Sequence, residues 1–451
     1  MNVFVLLSIL SVIALIMLPL FLLKRKGKTQ WMIHGLAVIL GVALALLVKV
    51  FFKENTALLS FSGVVVRVFS DNYMHILQFM AIPTLVFGLS QGIIQSAESK
   101  RTGKSILVIG GTVLVTTAVS AIIGYLLTVF FQLKLSALPH TAAVETQAKT
   151  LSKLMKGYSA ESLTESFTNF LPTNIETFFQ SLGERGIFIS IVLTLLALAS
   201  CKRLTRNAVG RESMKGVEGG IRMLSKLIEG ISTSLLSVFP YLLPYLVASF
   251  LLFLPFSALK GLLPFILVFH VGAALVLICN LALLYSVGVE PLEYLKKALF
   301  PLVLSFLTDS TMATYAANVK TQTEKFSVDT RIAHLSGGMG LFMGQNGCGG
   351  LFPAMVVTMI ALDRGVEVTS LSYFFMLTAM ILLSSLFSIY WGGGATTVTL
   401  GVLFLFGNLP VESFALLVTA SLFVQATRTL LNENGALTAG IYTDRKLKQL
   451  K

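Results

Sequence analysis

Four polar side chains, Ser421, Gln425, Arg428 and Asn432, recur at spacings of four, three and four inside an otherwise apolar stretch, Ser413 to Ile441. At 3.6 residues per turn those spacings put all four on one stripe of a helix, with Thr429 on its edge. A charged side chain near the middle of a membrane costs about 3 kcal/mol, so it normally faces a cavity or a partner. The guanidinium fork matches a carboxylate bidentately, which makes Arg428 a candidate clamp for the carboxylate of a small solute. Two other roles are open to it: an ion pair with Asp309, or snorkelling toward the membrane surface.

Three further clusters carry polar groups where apolar ones are expected. The knot TDSTMAT at 308–314 presents Asp309 and the hydroxyls of Ser310, Thr311 and Thr314. These are candidate solute ligands; as a helix-capping aspartate and ordinary turn residues they need no special role. The run GGMGLFMGQNGCGG at 337–350 holds seven glycines in fourteen residues. Each glycine costs a helix about 1 kcal/mol against alanine, so an unwound middle is expected there. Its free carbonyls, with Asn346, Gly347 and Cys348, form a candidate cation site. Gly392, Gly393 and Gly394 suit the hinge of a lid, with close helix packing as the alternative. Cys348 has no base motif beside it and reads first as a small packing residue. His270 and His334 are open to proton relay or to a satisfied contact between helices.

The elements that must position these groups are membrane helices. The chain has 451 residues, 55% hydrophobic and 12% charged, with a mean hydropathy of +0.84. A span needs about 20 apolar helical residues. Nine stretches qualify, near 2–23, 31–52, 72–96, 105–131, 175–200, 228–255, 261–287, 331–361 and 413–441. The segment 228–255 holds Pro240, Pro244 and Pro255, which favour a kink. The net charge of +13 sits in short loops at 24–28, 99–104, 201–216 and 444–451. If spans alternate, those loops share one side, so the basicity marks the cytoplasmic face and not a nucleic-acid partner. The amino terminus is then outside and the carboxyl terminus inside. The three cysteines give neither a disulfide framework nor a zinc site. No Walker A pattern, serine elbow or HExxH motif is present, which argues against ATP hydrolysis and embedded enzyme chemistry.

Two segments, beginning at Ala298 and near 372, are short-polar-short: half a span, a polar tip, half a span. Such re-entrant hairpins are tolerated only where irregular backbone lines a cavity. Each is followed by a polar helix, and this doubled grammar points to an inverted-repeat transporter core. The expected fold is therefore an all-α polytopic membrane protein with about nine spanning helices plus two re-entrant helical hairpins. Residues 1–30 form an extra amino-terminal span and basic loop, and 31–287 a scaffold-rich part. Residues 288–441 form the binding core, and 442–451 a basic tail.

Over roughly 31–445 the chain resembles the dicarboxylate/amino acid:cation symporter family, which has the glutamate-transporter fold. TDSTMAT resembles the serine-rich tip of its first hairpin, QNGCGG its broken helix, and YWGGGATT its second hairpin. Ser421, Gln425, Arg428, Asn432 and Ala436 follow its last-helix stripe. The resemblance implies that Arg428 binds the substrate carboxylate, that Asn432 serves substrate and sodium, and that Asn346 is the broken-helix asparagine. Gln425 replaces the family's ammonium-binding aspartate, a charge that Asp309 can restore. Cys348, Gly350 and Ala436 replace oxygen ligands of sodium, so few coupled sodium ions are expected, with H+ as the competitor. The variant motifs are most similar to the bacterial L-cystine uptake branch. The implied activity is import of an amino acid across the plasma membrane by an elevator-like mechanism, with glutamate or aspartate as alternative substrates. The implied assembly is a homotrimer, with no cofactor beyond the coupling ion.

Overall fold

The computed structural model describes residues 16–26, 30–51, most positions between 66 and 90, 101–134, 208–253, 259–342, 345–387, four positions between 398 and 403, and 412–449. Every regular element among them is helical. In chain order these are α1 (Gln30–Phe51), α2 (Arg101–Phe130), α3 (Ala208–Phe253), α4 (Leu259–Tyr285), α5 (Pro291–Thr308), α6 (Thr311–Lys320), α7 (Thr330–Phe342), α8 (Phe352–Asp363), α9 (Leu371–Phe387) and α10 (Glu412–Gln449). Five helical stretches among the described residues are long and apolar enough to cross a membrane. The expected span at 175–200 and the second hairpin's tip, Gly392 to Gly394, lie outside the described residues.

The contacts fall into two compact units. One comprises Met1–Met80 and Glu229–Pro255, the other Ala81–Ile228 and Phe256–Lys451. In the first, Leu44, Ala45 and Val48 of α1 bury against Tyr245 and Ala248 of α3. The second contains all the polar clusters. There α2 and α4 pack with the hairpin α5–α6, with the broken helix α7–α8 and with α10. Helix α8 is buried on every side from Phe352 to Ala361. A helix apolar all round belongs at a centre, and this one is the centre of the unit.

Three boundaries differ from the sequence reading. Residues 208–226, taken as a basic loop, are the start of α3. Glu218, Arg222 and Lys226 recur at helical spacing and are exposed, so their charge lies on a helix and not in a loop. The first half of the hairpin starts at Pro291 and not at Ala298. Proline is well placed in a helix's first turn, where its missing N–H is not needed, and Tyr294 is already fully buried. The residues assigned to a tail, 442–449, continue α10. There Lys448 donates to the Ser327 carbonyl at 3.2 Å and pairs with the buried Asp444, which fastens the helix end to the turn before α7.

Candidate functional site

The first hairpin turns at two residues. Asp309 ends α5 in the left-handed region, φ 48°, and Ser310 begins α6 as its N-cap, its hydroxyl accepting from the Ala313 N–H at 3.2 Å. The turn holds Asp309 at the tip, where its Oδ1 accepts the Thr429 hydroxyl of α10 at 2.6 Å. The Gln425 carbonyl, 3.2 Å from the same hydroxyl, is the alternative acceptor for its single proton. Asp309 is within electrostatic reach of Arg428, yet the two form no ion pair.

Arg428 is 6% exposed. Its guanidinium lies over the Phe352 ring, 4.4 Å from the centroid. Nε and Nη1 have no hydrogen-bond partner among the described residues. A buried donor without a partner costs about 1–3 kcal/mol, and natural structures keep such groups mainly for function. The ring stabilises the cation by about 0.5–2 kcal/mol without occupying its in-plane donors. An acceptor from outside these residues would satisfy both donors.

The broken helix is where the glycine run predicted it, but narrower. Helix α7 persists to Phe342, through Gly337, Gly338 and Gly340. Gln345 is extended, and Asn346–Leu351 form a wide π-type turn before α8 starts. Several glycines serve close approach instead of unwinding. A β-carbon on Gly347 would fall on the backbone of Arg428. The break is stitched to α10 by Asn432, whose Oδ1 accepts the N–H groups of Gly347 at 2.8 Å and Cys348 at 3.0 Å. Its amide donates to Gln345 at 3.5 Å. Asn346 is fully buried; its Oδ1 accepts the Thr117 hydroxyl of α2 at 3.4 Å, and its Nδ2 has no partner among the described residues.

The structure thus brings Arg428, Thr429, Asn432, Asp309, Asn346 and Gly347 together. Cys348 contributes its backbone while its side chain sits in the hydrophobic cluster. Gln425 is half-buried one turn before Thr429. Ser310 and Thr311 lie at the tip, but the hydroxyl of Thr314 points away from Arg428, to the carboxylate of Glu433 at 2.8 Å. His334 and His270 both make contacts between helices, with Tyr315 at 2.9 Å and Thr427 at 3.0 Å.

Sequence reasoning missed three participants. Phe352 had no signal beyond being aromatic. Thr117 is one hydroxyl among several in α2. Glu433 had a clear one: it is an acid in the same apolar stretch as Arg428, adjacent to Asn432.

A family model matches residues 30–446. The L-cystine uptake protein TcyP of Shouchella clausii is 27% identical over 448 residues, covering 99% of this chain and 95% of that protein. An uncharacterized symporter of Haemophilus influenzae is 29% identical over 433 residues, covering 95% and 97%. The L-cystine uptake protein TcyP of Bacillus licheniformis is 25% identical over 455 residues, covering 100% and 97%. Matched over nearly its whole length, this all-helical multi-pass protein belongs to the sodium:dicarboxylate symporter family: it is a cation-coupled carrier of small solutes and not an enzyme.

Proposed function

We propose that the solute is an amino acid, with L-cystine the best supported, imported into a bacterial cell by elevator-like alternating access. One observation carries this reading. Among the described residues the buried Arg428 Nε and Nη1 have no acceptor, while Asp309 lies within its electrostatic reach and is not paired with it. Separated opposite charges in one site match a zwitterion: carboxylate on Arg428, ammonium on Asp309. A dicarboxylate without an ammonium would leave Asp309 facing a like charge; glutamate and aspartate offer the same zwitterionic pair as cystine, and competition decides between them. The L-cystine uptake relatives agree with an amino-acid cargo. Thr429 and the tip residues Ser310 and Thr311 orient the solute, Gly392 to Gly394 supply the outer lid, and Asn346 holds the break in register. The protein works as a homotrimer with its carboxyl terminus in the cytoplasm.

The test is counterflow in proteoliposomes. Purified protein loaded with unlabelled L-cystine should take up labelled L-cystine chemically unchanged, and excess glutamate or aspartate should not compete. Exchange of glutamate with no exchange of cystine would reassign the cargo.

A further inference from the structure

Helix α10 presents two neighbouring stripes. Arg428 and Asn432, four residues apart, face the break: Arg428 lies over Phe352, and Asn432 accepts the N–H groups of Gly347 and Cys348. Thr429 and Glu433, also four apart, lie about 100° round the helix and face the first hairpin. Thr429 meets its tip, where Asp309 Oδ1 accepts the hydroxyl at 2.6 Å. Glu433 meets its second arm, α6, one turn further on.

Glu433 is 2% exposed, and no cation pairs with it among the described residues. Its Oε1 accepts the Asn318 amide at 2.8 Å. Its Oε2 lies 2.8 Å from the Thr314 hydroxyl, for which the Thr311 carbonyl at 2.9 Å is an alternative acceptor. Burying such a side chain is costly unless its oxygens are hydrogen-bonded, and here both are turned to α6.

The orientation of Asn318 is set from behind. Gln322 Nε2 donates to Asn318 Oδ1 at 2.6 Å and lies 3.0 Å from Ser336 Oγ of α7. Asn318 therefore presents its NH2 group to Glu433. Thr314, Asn318 and Gln322 recur every fourth residue and form one polar seam along α6. Helix α10 passes the far end of that seam at Gly440, where a β-carbon would fall on the Gln322 and Ser336 side chains.

The seam matters for the tip. Asp309 sits in a two-residue turn that one hydrogen bond joins to α10. A single bond fixes a point and leaves the hairpin free to pivot about it. The Glu433 contact, about 6 Å further along the axis, is a second point between the same two elements, and two points fix a direction. Arg428 and Glu433 belong to one helix, so an arm fixed on Glu433 also fixes Asp309 relative to Arg428. Binding groups keep their geometry only where their supports are locked by packing and hydrogen bonds.

We propose that Glu433 is a positioning residue for solute binding: through Thr314 and Asn318 it holds the hairpin's second arm on α10, and so sets Asp309 against Arg428. It touches no solute itself. That Asp309 receives an ammonium rests on the zwitterion reading above; the attachment of the hairpin does not.

The experiment compares wild type with Glu433→Leu and Glu433→Gln. Leucine cannot bond to Thr314 or Asn318. Glutamine can offer its oxygen to the Asn318 amide and its NH2 group to the Thr314 oxygen, so it should preserve the attachment. The first readout needs no solute: hydrogen exchange of the purified protein. In Glu433→Leu the amides of the tip and α6 should exchange at least about tenfold faster, while those of α8 and all those of Glu433→Gln stay near wild type. Unchanged exchange at the tip in Glu433→Leu overturns the proposal. The second readout is uptake of labelled L-cystine in proteoliposomes. Glu433→Leu should raise the half-saturation about tenfold to a hundredfold, and Glu433→Gln by no more than about threefold. A merely structural loss would lower the maximal rate at an unchanged half-saturation, and that result would refute the positioning role. Glutamine as damaging as leucine would refute it too, because the bonds would then not be what matters. If wild type itself takes up no L-cystine, the choice of solute is wrong, and hydrogen exchange alone decides. If Glu433→Leu does not fold, Asn318→Leu removes one of the two contacts and should speed exchange in the same segment; no change there would overturn the proposal.

Discussion

Replacing Arg428 with alanine should separate binding from stability. The guanidinium is buried, lies over Phe352 at 4.4 Å, and leaves Nε and Nη1 without acceptors among the described residues. Losing a desolvated, charge-assisted pair with a ligand costs about 2–5 kcal/mol, or about 30-fold to a few thousandfold in affinity. The empty protein should respond differently. Truncation removes a stacking contact of about 0.5–2 kcal/mol, but it also removes unsatisfied donors that cost about 1–3 kcal/mol. These offset each other, so the unliganded protein should melt within a few degrees of wild type. Arg428→Lys keeps the charge but loses the fork and the planar stacking, and should still bind at least about tenfold more weakly. The assay pairs solute-dependent uptake in proteoliposomes with melting in detergent. Uptake with an unchanged half-saturation would show that Arg428 touches no solute. A collapse in melting temperature would make it structural instead.

Four other outcomes are expected. Phe352→Leu removes the ring under the guanidinium and should weaken solute binding by about 0.5–2 kcal/mol, roughly 2- to 30-fold, with insertion unchanged on membrane fractionation. Gly347→Ala places a methyl on the Arg428 backbone and should reduce folded yield and melting temperature more than Gly349→Ala, whose nearest neighbour would be 3.4 Å away. Asp329 caps α7 through the Arg331 N–H at 2.9 Å and forms a bidentate pair with its guanidinium, and Arg331 holds its carboxyl below the usual carboxylate range. Its contribution is therefore present above the unfolded value, about 4, and is lost as pH falls through the lower folded value. Asp329→Ala should cost about 1–2 kcal/mol at neutral pH and flatten the acid side of the melting curve. Finally, uptake should show no steep sodium dependence, because Asn432 Oδ1 already accepts two N–H groups; a sigmoidal sodium response would show that this oxygen turns to a cation.

What the sequence made legible follows from periodicity. An arginine and an asparagine at helical spacing in an apolar run must share a face, and the structure places Arg428, Thr429 and Asn432 on the break as that spacing requires. The break itself was readable because Gln345 and Asn346 interrupt a glycine-rich run. Its width was not: glycine marks both unwinding and close packing, and Gly340 beside Ala436 is of the second kind. Glu433 lies one residue off the stripe, about 100° round the helix, so spacing does not group it with Arg428 even though its charge is as costly there. The start of α3 was misread because a dense basic segment looks the same in a loop and on one face of a helix. Only the three- and four-residue spacing from Arg211 to Lys226 tells them apart.

The hairpin and the last helix meet at two carboxylates, and this bears on coupling. Asp309 of the tip accepts from Thr429 of α10, while Glu433, one turn further along α10, accepts from Thr314 and Asn318 of the hairpin's second arm. The two contacts lie about 6 Å apart along the helix axis and join the same pair of elements. On the proposed reading the solute's ammonium takes the Asp309 carboxylate, in competition with the Thr429 hydroxyl, so loading would alter how the hairpin lies on α10. Any second event that acts on this contact is then linked to solute binding, reciprocally, with coupling energies of about 1–3 kcal/mol being typical. A contact that answers to solute alone lets solute equilibrate; one that answers also to the coupling cation meets the requirement of symport.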